Sequence, residues 1–255
     1  SHLLYSCFDL LGRARTGHRI AAARVMLTTF VSYVFNLNFG ALIGGIAFRY
    51  RLYARLGLDV AKTSEVLVIS MTTNWLGYAL LAGLVFAIWP PALPPDWRAA
   101  GSALRVLGAA LVCVPLVYAA LCGWSPRRVM TLRGHRLVLP PLRFALLQLA
   151  MATLNWLLIG SVIYVLLQQR VDFATALAAL LVAAVAGVIA HVPAGLGVIE
   201  AVFVALLSAQ IPASELLAAL LLYRGIYYLA PLAIGVVLHL AAEARGAKTH
   251  LKAWR

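Results

Sequence analysis

The chain has 255 residues, of which 64% are hydrophobic and only 11% are charged, with a formal net charge of +13. Soluble domains carry roughly 45–50% apolar and about 25% charged residues. Water cannot solvate so apolar a surface, which excludes a soluble globular enzyme and makes lipid the solvent.

Residues His2 to Leu11 read as the last third of a span running into a basic loop, which implies that spans precede Ser1. Arg13, Arg15, Arg19 and Arg24 fill that loop. Val25 to Phe48 is apolar but interrupted by Asn36-Leu37-Asn38-Phe39-Gly40 and by Gly44-Gly45. A second basic group follows in Arg49, Arg51, Arg55 and Lys62. Five windows then meet the requirement of about 20 apolar residues per span: Val66 to Trp89, Ala103 to Cys122, Phe144 to Leu167, Ala174 to Val192, and Leu216 to Ala241. Ala194 to Ala209 is a further apolar piece, interrupted at its start by glycines. Long Leu/Ala runs without period-two alternation favour helices over a barrel. The expected fold class is all-α: a single transmembrane domain over residues 1–255, with re-entrant or broken helices and no soluble domain.

The positive charge follows topology. Two more basic groups, Arg127, Arg128, Arg133, Arg136 and Arg143, then Arg245, Lys248, Lys252 and Arg255, join the first two. The positive-inside rule puts all four in the cytoplasm, with the C-terminus, and leaves Pro90 to Ser102 and Gln168 to Phe173 outside. This distribution argues against nucleic acid as a partner. It also forces a reversal: Val25 to Phe48 has cytoplasmic charge at both ends, so it must enter the bilayer and return. Broken backbone at membrane depth is tolerated only where protein or a water-filled cavity surrounds it. Further on, His191-Val192-Pro193-Ala194-Gly195-Leu196-Gly197 is a candidate second tip, because proline removes a donor and glycine permits non-helical dihedrals. Two oppositely entering hairpins would make an inverted repeat with a site near the midplane. Three full crossings fit the charges equally well.

Charges within spans are costly and therefore mark candidate function. Glu200 follows the Pro/Gly break and Arg224 lies well inside the last span. They fit either a static pair or a site in which Arg224 binds an anionic group and Glu200 orients it or carries a proton. Arg49 and Arg51 fit snorkelling anchors or phosphate contacts, for which the planar guanidinium fork is suited. Asn36, Asn38, Asn74 and Asn155 fit interhelical hydrogen-bond glue or substrate contacts. His191 fits a structural histidine or a proton relay, and Tyr223, Tyr227 and Tyr228 a core or site face. Gly44, Gly45, Pro193, Gly195 and Gly197 are the structural breaks. Cys7, Cys113 and Cys122 have no metal spacing and read as small buried hydrophobes. Walker, zinc-protease and nucleophile-elbow motifs are missing, so neither an enzyme nor a metal or other cofactor is expected.

Several stretches carry a family resemblance. Gly44-Gly45-Ile46-Ala47-Phe48-Arg49-Tyr50-Arg51-Leu52-Tyr53, Thr72-Thr73-Asn74-Trp75-Leu76-Gly77-Tyr78, Pro193 to Ala201, and Tyr223-Arg224 with Tyr227-Tyr228 and Pro231 together resemble the YbhN group of bacterial inner-membrane proteins. That group is similar to the transmembrane flippase part of lysylphosphatidylglycerol synthase. The resemblance implies lipid translocation without lipid aminoacylation, and puts functional weight on Pro193 to Glu200 and on Tyr223-Arg224. The expectation is a phospholipid flippase of the inner membrane that moves an anionic or modified head group between leaflets. The alternatives are a small-solute or ion transporter and a non-transporting scaffold. Membrane phospholipid is the expected partner; a second copy of the chain or a lipid-synthesis enzyme are further candidates.

Overall fold

A computed structural model describes residues 1–91, 100–125, 129–132 and 135–253. The Pro90 to Ser102 connection and the Arg127 to Arg143 loop fall partly outside these residues, and Arg255 lies outside them.

The chain opens with α1 (His2–Ser6) and α2 (Phe8–Thr16), nearly continuous through Cys7. Tyr5, Phe8, Asp9 and Gly12 recur at helical spacing and form its buried stripe. Gly12 lets α2 lie close on Val66 of the later helix α5 (Val60–Ile88). The first basic loop leads into α3 (Ala22–Phe39). Gly40 ends α3 at φ +88°, a backbone state favoured by glycine. A π-helical segment (Ala41–Ala47) and α4 (Phe48–Arg55) then run back along α3. Gly44 makes that return possible, since a Cβ there would overlap the carbonyl of Phe35. Phe48 stacks on Phe35 with ring centroids 4.3 Å apart. The loops at the two ends of this hairpin, 17–21 and 56–59, line one cleft. The segment therefore enters and leaves on one face, as its charges required.

From that face α5 crosses, started by Asp59, whose carboxylate accepts from the Lys62 amide at 2.8 Å. Helix α6 (Ala100–Trp124) returns, and a small antiparallel hairpin of β1 (Val129–Leu132) and β2 (His135–Val138) follows in the basic loop. Its Val138 carbonyl accepts from Arg15, which places it on the same face. Helix α7 (Leu142–Leu166) crosses again, parallel to α5: Thr73 bonds Gln148, Gly77 abuts Ala152 and Tyr78 meets Trp156, so the two registers advance together. Asn74-Trp75-Leu76 of α5 recurs as Asn155-Trp156-Leu157 of α7, on helices of one direction, so the repeat is no mark of inversion.

A second hairpin follows. Helix α8 (Phe173–Ala190) packs on α9 (Val198–Leu207) across a tip that contains a short 3₁₀ turn, Pro193–Gly195. At 10 residues, α9 is about 15 Å long, half of a bilayer's hydrocarbon thickness of about 30 Å. Arg170 before α8 is ion-paired to Glu215 after α9, which ties both ends of the hairpin to the face opposite the first. Helix α8, at 18 residues, is long enough to span a membrane, whereas α9 is not. Helix α10 (Ala213–Tyr223), a π segment (Arg224–Leu229) and α11 (Ala230–Ala253) finally return to the basic face. There Glu243 pairs with Arg55 at the end of the first hairpin.

Among the described residues, five helices are long and apolar enough to span a membrane: Val60–Ile88, Gly101–Trp124, Leu142–Leu166, Phe173–Ala190 and Ala213–Ala244. The main core joins α5, α7, α8, α9 and α10 around Ile163, Leu181, Phe203 and Leu216. Many large apolar side chains of α6 and α11 remain exposed, as in a surface solvated by lipid.

Candidate functional site: the meeting point of two hairpins

Arg224 is the twelfth residue from the start of α10. At 1.5 Å per residue it lies about 17 Å in from the N-terminal end of its helix, roughly half of a bilayer's hydrocarbon thickness of about 30 Å. Its Nε donates to Glu200 Oε1 at 2.6 Å and its Nη2 to Glu200 Oε2 at 2.9 Å. Nη1 donates to the carbonyl of Ala194 at 3.0 Å, and Nη2 also to that of Gly195 at 3.1 Å. One guanidinium thereby holds both the returning helix and the tip of the second hairpin. The planar fork suits the bidentate pair. The side chains of Arg224 and Glu200 keep 12% and 19% exposure, so the pair remains reachable.

The backbone at this tip is unusual. His191 and Ala194 hold φ of +53° and +56°, beside Gly195 and Gly197 at +59° and +78°. Non-glycine residues in that region cost about 1–3 kcal/mol each and gather at functional sites. The arginine's bonds to two tip carbonyls help to hold this conformation. Arg224 also begins the π segment, a rare helix form that is frequent at functional sites.

Aromatic rings join the site to the first hairpin. Tyr223 stacks on Tyr227 at 5.1 Å, the Tyr227 and Tyr33 hydroxyls lie 3.2 Å apart, and Tyr33 stacks on Tyr5. Arg224 sits 5.7 Å from the centre of the Tyr228 ring. Helix α3 packs against the Pro193–Gly195 turn, and Asn38 donates to the Val34 carbonyl at 2.8 Å and to the Tyr228 carbonyl at 3.3 Å.

Arg224, Glu200, Tyr223, Tyr227, Asn38, Pro193 and Gly195 thus share one neighbourhood. Gly197 is the N-cap of α9. His191 is at the tip but exposed, its Nδ1 2.8 Å from the Ile189 carbonyl. Asn36 lies against Gly45 within the first hairpin. Asn74 is half-buried on α5 and outside the contacts around Arg224. Arg49 and Arg51 do not join this cluster. Arg51 is exposed on the basic face, 4.0 Å from Glu243. Arg49 is buried and paired with Asp9 at 3.6 Å. Besides Glu200, the structure places a second acid, Asp9, in a buried setting. The signal was present in the stripe Tyr5, Phe8, Asp9, Gly12, which makes Asp9 part of a buried helix face. Among the described residues no group of three His, Cys, Asp or Glu side chains could hold a metal ion.

Fold and site define the class: a polytopic helical membrane protein whose two helical hairpins open to opposite faces and meet at a part-buried Arg–Glu pair. A family model described as "Lysylphosphatidylglycerol synthase TM region" matches residues 3–235. The chain is 44% identical over 253 residues to "Inner membrane protein YbhN" of Escherichia coli, covering 99% of this chain and 80% of the relative. A protein of Synechocystis sp. is 28% identical over 91% of this chain and 73% of its own length. A "Phosphatidylglycerol lysyltransferase" of Staphylococcus haemolyticus is 32% identical over 91 residues, 34% of this chain and 11% of the relative. The chain belongs to the lysylphosphatidylglycerol synthase transmembrane-region family.

Proposed function

We propose that this protein translocates a phospholipid with an anionic or modified head group between the leaflets of the bacterial inner membrane. The observation that carries this reading is the Arg224 guanidinium, reachable at mid-depth and bound to a carboxylate and two strained-tip carbonyls. A lipid phosphodiester offers the same two-oxygen geometry as Glu200 and can exchange with it on the fork. Release of Glu200 and of the tip carbonyls would free the second hairpin to move, so head-group binding and hairpin motion would be coupled. Acyl chains stay in lipid beside the exposed apolar residues Ile189 and Leu196 of the tip. The protein acts without chemistry on the lipid. The basic face is cytoplasmic in this reading, and the C-terminus with it.

The test is transbilayer movement of labelled phosphatidylglycerol in proteoliposomes. Arg224→Ala and Glu200→Gln abolish it while the helical content is kept. Wild-type movement in both variants overturns the proposal.

One observation favours a second reading. Four hydrogen bonds already satisfy Arg224, as a static clamp in a scaffold for a lipid-synthesis enzyme would require. In that case both substitutions lower thermal stability, and no lipid moves even with the native protein.

A further inference from the structure

At the open base of the first hairpin, the loop between α2 and α3 faces the loop between α4 and α5 across a cleft of about 720 Å³. Arg19, Arg24 and Lys62 line it and are exposed. The opposing charge is Asp59, already engaged with the amide and the ammonium of Lys62. The cleft is therefore net cationic.

Two further features single it out. His18 lines the cleft with 9% exposure, and neither ring nitrogen has a hydrogen-bond partner. Unpaired buried polar groups are costly, about 1–3 kcal/mol, and call for an explanation. Ala21, the N-cap of the 18-residue α3, gives no side-chain cap and also lines the cleft. Free amides and the positive end of the helix dipole therefore face the same space as the three cations.

We propose that this cleft binds a phosphate group, held by Arg19, Arg24 and Lys62, with a ring N–H of His18 donating a hydrogen bond to one of its oxygens. The site is distinct from the Arg224 centre and does not depend on translocation. Its depth identifies the source. The cleft lies at the first turns of α3 and α5, where apolar helices begin, which is head-group level in a bilayer. Its ligand is thus the phosphodiester of an anionic lipid in the leaflet on the basic face, and free inorganic phosphate is the other carrier of the same chemistry.

An environment-sensitive fluorophore on Ala21→Cys, with Cys7, Cys113 and Cys122 changed to Ala, reports binding locally in the detergent-purified protein. The probes are dihexanoyl phosphatidylglycerol, dihexanoyl phosphatidylcholine and inorganic phosphate. Saturable binding of phosphatidylglycerol, at least tenfold tighter than of the other two, identifies a lipid site. Phosphate binding as tight as that of phosphatidylglycerol identifies a free-anion site. In either case Arg19→Gln/Arg24→Gln/Lys62→Gln weakens binding at least tenfold, and His18→Leu weakens it by a smaller factor. These three cations are exposed, so the triple variant keeps the fold. Absence of saturable binding by phosphatidylglycerol and phosphate, or unchanged binding in the triple variant, overturns the proposal.

Discussion

Arg49 Nη1 lies 3.6 Å from Asp9 Oδ1, with the two side chains 4% and 0% exposed. Asp9 Oδ2 also accepts from the Tyr53 hydroxyl at 2.8 Å, and Arg49 donates to Ser70 at 3.3 Å and lies over the Tyr5 ring. The returning arm of the first hairpin is thereby fastened to α1, α2 and α5. Each hairpin thus has an arginine–carboxylate contact on its returning arm, buried for Arg49 with Asp9 and part-buried for Glu200 with Arg224. Removing one partner of a buried pair costs about 3–5 kcal/mol, because it strands the other charge. Asp9→Asn and Arg49→Met should each lower the detergent melting temperature sharply, whereas Arg51→Ala should leave it nearly unchanged. The double variant Asp9→Leu/Arg49→Met should recover much of the loss. Equal melting temperatures for Asp9→Asn and Arg51→Ala would contradict the fastening role.

Arg224→Lys keeps the charge but cannot reproduce a bidentate pair together with two carbonyl contacts. Losing two charge-assisted hydrogen bonds at about 1.5–3 kcal/mol each should release the tip. Lipid movement in proteoliposomes is expected to fall at least tenfold. Protease cleavage within 191–197 should quicken at the same time.

Gly44→Ala tests the first hairpin sterically. Its Cβ would overlap the Phe35 carbonyl, which is backbone and cannot swing away. Overpacking of this kind costs about 1–3 kcal/mol. Gly187→Ala, with open space around its Cβ, is the control and should be neutral or slightly stabilising. Thermal unfolding of the two variants checks the contrast.

Asp172 caps α8, accepting from the Thr175 hydroxyl at 2.6 Å and from its amide at 2.9 Å. These hydrogen bonds hold its carboxyl below the usual range. The stabilisation is thus fully present above the unfolded carboxylate value of about 3.9 and is lost as pH falls through the lower folded value. Asp172→Ala should cost about 1 kcal/mol at neutral pH and make no difference well below pH 3. Melting temperatures of both proteins at pH 7 and in acid measure this.

The basic face is expected to be cytoplasmic. A green fluorescent protein fused after Arg255 should fluoresce, and alkaline phosphatase fused there should be inactive. Maleimide applied from outside to intact cells should reach Arg170→Cys and not Arg55→Cys. The reverse labelling would invert the topology.

The sequence alone determined that this chain lives in lipid, where its spans run, and where its backbone breaks. Those are local properties. Apolar runs set the spans, and Asn36 to Gly45 and Pro193 to Gly197 set the breaks through dihedral freedom and missing donors. Charge at both ends even required the first segment to turn back, since parity needs no contact information. The residues Glu200 and Arg224 stood out for the same reason, as charges where water is scarce. Tertiary structure alone decided that α8 and α9 pair as a hairpin whose two ends the Arg170–Glu215 tie holds on one face. It also gave Arg49 to Asp9, 40 positions away, rather than to the Arg224 centre, and left Asn74 apart from it. Which charge meets which depends on the register and rotation of helices distant in sequence. The long spanning helices are apolar around most of their circumference, so their hydropathy carries little record of which face turns inward. The ion pair between Glu200 and Arg224 became a clamp only when the strained carbonyls of Ala194 and Gly195 came within reach of the same guanidinium.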